Sequence, residues 1–137
     1  MTRRLDWPER LAAELATAEQ RSFSESYSCV AFAADVVRAM TDVDPLPERD
    51  DTIAAAYARM RRQGYETLSD ALAAKVGSQI PLAFAHRGDV ILRRVGDQEA
   101  VGICCGEYSA FISEQGGLAY WPTLEQVAAF RVGFLGG

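Results

Sequence analysis

The residues that could carry chemistry are few: three cysteines, Cys29, Cys104 and Cys105, and a single histidine, His86. Cys29 opens the apolar run CVAFAADVVRAM, directly after the polar stretch RSFSESYS. That change predicts a loop over 21–28 and a helix over 29–41, with Ser28 or Ser26 as its N-cap. A thiol in a first helical turn faces unpaired N–H groups and the positive end of the helix dipole. Both favour the thiolate, so the spacing predicts a lowered pKa. The chemistry would be nucleophilic attack, with the cysteine's own N–H available to an oxyanion. Such an attack needs a base within about 2.6–3.2 Å or one bridging water. The competing reading of Cys29 is a small buried residue in a tight helix–sheet contact.

His86 sits in the loop AFAHRGD, ahead of the run DVILRRV. A hairpin centred on Gly96–Asp97 sets Ala100 opposite Arg93. His86 lies about seven residues before Arg93, more than ~20 Å along the strand. His86 is therefore expected at the end of the hairpin away from the start of the second strand, as an exposed or cap-bonding loop side chain. Cys104 and Cys105 are adjacent in a strand and point to opposite faces, Cys105 with Val101 and Ile103, Cys104 with Gly102. Without Cys-x-x-Cys or His-x-Cys spacing they read as core, and neither a metal nor a cofactor is expected. Asp89, after Gly88, reads as a strand-start cap. Tyr120, Trp121 and Pro122 read either as a binding patch or as a strand end packed on the core.

The elements that must position these residues change in kind along the chain. Helical periodicity covers about 7–20, 29–41, 52–63 and 68–76. The expected caps are Asp6 with Glu9, Asp50 or Asp51, and Thr67 with Asp70. From Asp89 the period falls to two. Strands are expected over 89–95, 100–105, 108–113 and 118–121, then a short helical turn from Thr123 and a last strand near 130–134. Connections this short make neighbours antiparallel. The fold class is α+β: one domain over 1–137, a helical half over about 1–77 packed on an antiparallel meander over about 88–137. The formal net charge is −5, which argues against a nucleic-acid footprint. The arginines at 59, 61 and 62 read as a solvated helix face balanced by Asp50 and Asp51. No run is long and apolar enough to span a membrane, and MTRRLDWPER does not read as a signal peptide.

Several segments resemble known families. SYSCVAFAADVVRAM resembles the cysteine helix of the NlpC/CHAP-type cell-wall peptidases, a papain-like superfamily. RGDVIL looks like the strand that follows in those proteins. AVGICCG looks like the next strand, usually written with a histidine before "VG". The chain resembles still more closely a family of small proteins encoded in phage and prophage tail-gene clusters, through CVAFAADVV, MTDVDP, HRGDVIL, AVGICCG and AFISEQGGL in that order. The resemblance spans nearly the whole chain and implies a papain-like fold with Cys29 in the nucleophile's position. It puts Ala100 where the peptidase histidine would stand, and the third, orienting residue near Ser113. Ser28 stands where an acidic or polar residue often precedes the cysteine, and Phe23 and Tyr27 would border the cleft. Alanine cannot accept a proton, so the dyad is broken.

The function this implies is a non-catalytic structural or assembly component of a phage or prophage tail, at the tip or baseplate, docking to other tail proteins. It would be made in the host cytoplasm and carried into the virion. The alternative is an active cysteine hydrolase of peptidoglycan peptides, with Cys29 as nucleophile and His86 as a relocated base. A third reading, a thiol sensor, needs an exposed Cys29 of low pKa.

Overall fold

The computed structural model describes residues 1–22, 28–50 and 52–133. Four helices come first: α1 (Trp7–Glu19), α2 (Cys29–Thr41), α3 (Ile53–Arg62) and α4 (Leu68–Lys75). Six strands follow: β1 (Gln79–Ile80), β2 (Val90–Val95), β3 (Gln98–Cys104), β4 (Tyr108–Ile112), β5 (Leu118–Pro122) and β6 (Ala128–Phe130).

Local chemistry sets the helix starts. Ser28 caps α2 by accepting from the Ala31 N–H, as Thr67 does for α4 from Asp70. Thr52 caps α3 through the Ala55 N–H, a role expected of Asp50 or Asp51. Asp50 instead binds Arg59, and Asp51 lies outside the described residues. Asp6 precedes α1 without a side-chain cap bond, because its carboxylate is taken by Arg4 and Arg10.

The sheet has the order β1-β6-β2-β3-β4-β5 and is antiparallel at every pairing. Strands β2 to β5 form the expected meander, with Arg93 opposite Ala100. The last strand departs from expectation. It covers 128–130 rather than 130–134, and it returns to the outer side of β2 instead of extending the meander. The two-residue β1 closes that edge, too short to carry a period-two signal.

Alternation divides the sheet into two faces. Val90, Leu92, Val101, Ile103, Ala110, Ala128 and Phe130 join Phe32, Val36, Val37 and Met40 of α2 in the main core, with α1 stacked on α2. On the other face Ile91, Cys104, Phe111 and Ala129 form a smaller cluster, covered by Leu82 and Ala85. Gly102 permits this cover: a Cβ there would collide with the Ala110 carbonyl and the Phe111 ring.

A buried ion pair ties the N-terminal arm and the segment after β6 to the sheet. The Arg3 guanidinium donates to the Asp89 carboxylate (2.9 Å), the Val132 carbonyl (2.7 Å) and the Arg87 carbonyl (2.7 Å), and it lies over the Trp7 ring. Asp89 also accepts from the backbone N–H groups of His86 (2.8 Å) and Val132 (3.0 Å). The strand-start cap expected of Asp89 is thus one part of a larger staple.

Candidate functional site

Cys29 is the first residue of α2, seated against β3. The sulfur faces the Val101 N–H as well as the helix-start N–H groups of Val30 and of Cys29 itself. Burial nevertheless pushes the thiol above its ordinary range, and those donors do not offset it. The lowered pKa expected from the helix start is therefore corrected. Dipole and N–H effects stabilise a thiolate, but removal from water disfavours the charged form by more.

The residues proposed around the thiol do not gather there. His86 is exposed, in the loop before β2, and its ring makes no hydrogen bond among the described residues. Gly88 bonds the Cys104 carbonyl, so this loop meets β3 at Cys104. That is three residues, or ~10 Å of strand, beyond the Val101 that Cys29 faces. Neighbouring Leu82 and Ala85 pack on the opposite face of the sheet. Ala100, at the position implied for a histidine, also packs on that opposite face. A side chain at 100 points away from the thiol, and the β3 residues that share a wall with Cys29 are Glu99 and Val101. Ser113 belongs to the β4–β5 turn, where its hydroxyl accepts from the Gln115 N–H (3.2 Å). Phe23 and Tyr27 lie outside the described residues.

The other two thiols separate as their adjacency requires. Cys104 lies in the second cluster, with its sulfur at the Gly106 carbonyl (3.5 Å), while Cys105 packs on the main core. Among the described residues no three His, Cys, Asp or Glu side chains form a metal-binding group.

What does converge beside Cys29 is an apolar cavity of about 170 Å³, bounded by α2, α3, α4 and the start of β3. Helix α3 contributes Ile53, Ala56, Tyr57 and Met60, at helical spacing i, i+3, i+4, i+7. Burial pushes the Tyr57 phenol up, and the Glu99 carboxylate and Cys29 add to this. Glu99 itself pairs with Arg94 (3.1 Å). The thiol and the phenol both keep their protons at neutral pH and the carboxylate is engaged, so these walls suit apolar contact rather than proton transfer. The α3 stripe was legible as an amphipathic pattern. That it roofs a cavity was not, because the partner residues come from three other elements.

At the second edge of the sheet, Tyr120 and Trp121 are both exposed. The Tyr120 hydroxyl donates to Glu19 (3.2 Å), and the Arg93 guanidinium stacks 4.1 Å over the Trp121 ring.

The model of a domain of unknown function, DUF6950, matches residues 2–132, and the chain belongs to that family. None of the curated proteins matches it.

Proposed function

We propose that this member of the DUF6950 family is a non-catalytic structural or assembly component of a phage or prophage tail, at the tip or baseplate. Its scaffold would be papain-like, of the NlpC/CHAP type, with the dyad lost. The order of the resembling segments supports the scaffold. CVAFAADVV begins α2, MTDVDP closes α2 and starts the loop after it, HRGDVIL leads into β2, and AVGICCG covers most of β3 and the two residues after it.

The observation that carries the loss of catalysis is the setting of Cys29. Its thiol is pushed up by burial, and the β3 and α3 side chains on its wall, Glu99, Val101 and Tyr57, include no imidazole. A positioned general base is typically worth ~10²–10⁴ in rate. The Asp89 of the GD segment is engaged by Arg3 and two backbone N–H groups, which gives it a folding role. Exposed Phe84, Trp121 and Leu124 offer apolar surface for contact with other tail proteins.

The test is the composition of the particle. Tails purified from a lysogen that carries the gene should contain this chain at a fixed copy number, cross-linked to tip or baseplate proteins. Its absence from those tails, together with normal tails from a deletion strain, contradicts the proposal.

A further inference from the structure

Among the described residues, the charges that line the α2–α3–α4 cavity are paired with opposite charges except at Lys75. Arg49 pairs with Asp35 (2.8 Å) and Asp44 (3.7 Å). Arg59 pairs with Asp50 (3.0 Å) and Glu48. Glu99 pairs with Arg94. Lys75, in the last turn of α4, also lines the cavity. Its ammonium lies 5.7 Å from the centre of the Tyr65 ring and has no carboxylate within ion-pair distance among the described residues. The space itself is apolar, walled by Ala33, Val37, Leu72 and Val101.

Helix α3 adds an independent observation. All four apolar residues of its stripe face this cavity, yet the helix has no fully buried residue. An amphipathic helix normally presses its stripe onto packed side chains. Here Met60 reaches the main core, but Ile53 stays exposed and Ala56 and Tyr57 only half-buried beside the cavity, short of the dispersion contacts that an occupant would supply.

We propose that the cavity is a binding site for a small amphipathic anion, a medium-chain carboxylate, with the chain between α2 and α3 and the carboxylate on Lys75. An apolar cavity of about 150 Å³ stays dry and holds benzene, so a chain of roughly six to eight carbons matches this one. Lys75, the lining cation without a carboxylate partner among the described residues, selects an anionic head over a neutral or cationic one. The site is separate from the assembly role, and its test uses the purified chain alone.

Octanoate and octan-1-ol are titrated calorimetrically, with methyl NMR to locate them. Octanoate should bind saturably, shifting the methyl signals of Ala33, Ala56, Met60 and Leu72 in the wild-type protein. Lys75→Met should weaken octanoate at least about tenfold, the worth of one charge-assisted hydrogen bond, and leave octan-1-ol unchanged. Ala56→Phe, which fills the space, should abolish both. No saturation below roughly 10 mM would overturn the proposal. So would methyl shifts elsewhere in the wild-type protein, a result independent of how either variant folds. Octanoate binding that Lys75→Met leaves unaltered would overturn it as well.

Discussion

At the scale of single residues, Cys29 is a contest between two effects of known sign. Helix-start N–H groups favour the thiolate, and burial opposes it and wins. The linkage follows. With the folded pKa raised above the ordinary value of about 8.5, the unfolded chain releases its thiol proton first as pH rises. The stabilising contribution is complete below that value and is lost as pH climbs toward the folded pKa. Urea denaturation at about pH 7 and about pH 9.5 should therefore show wild-type protein losing more stability than Cys29→Ala. Equal losses would contradict the burial argument. The half-buried Cys105, whose thiol is also pushed up by desolvation, leaves a residual slope in both proteins. Ala100 gives a second prediction. Because its side chain lies on the far face of β3, Ala100→His should leave the pH profile of Cys29 labelling by a thiol reagent unchanged. A profile shifted to lower pH would mean that position 100 does reach the thiol. The cysteine's place at a helix start was readable from composition alone. The face of Ala100 follows from period-two alternation once the register is known, whereas the net sign of the thiol shift depends on atoms of β3 and α3.

At the scale of elements, α3 is the least anchored helix. It has good caps, with Thr52 at one end and backbone bonds from Gln63 at the other, but no buried residue. Helical stability in proteins comes mostly from packing of an apolar face. Amide exchange should therefore open α3 well below the global free energy of unfolding, while α2, with eight buried residues, exchanges only near it. Equal protection of the two helices would contradict this. Helices α1 to α4 and the β2–β5 hairpins were legible because each carries its own periodicity and punctuation. The β6 return and the β1 edge were not: both are short, and what fixes them is pairing with residues far away in sequence, Val90↔Phe130 and Gln79↔Phe130.

At the scale of the whole molecule, the Arg3–Asp89 pair joins the N-terminal arm, the start of β2 and the segment after β6. Both side chains are almost fully buried. Removing one partner strands the other charge, so Asp89→Ala should cost about 3–5 kcal/mol in urea denaturation. A loss under about 1 kcal/mol would be the value for a surface pair and would contradict the staple. This reading gives the aspartate of the GD segment a role in folding.

The central claim is that the scaffold persists without the reaction, and the most direct measurement is release of soluble fragments from purified peptidoglycan by wild-type protein and by Cys29→Ala. The account predicts no release above buffer from either protein. Release by the wild type that Cys29→Ala abolishes would contradict it and make the chain a cysteine hydrolase.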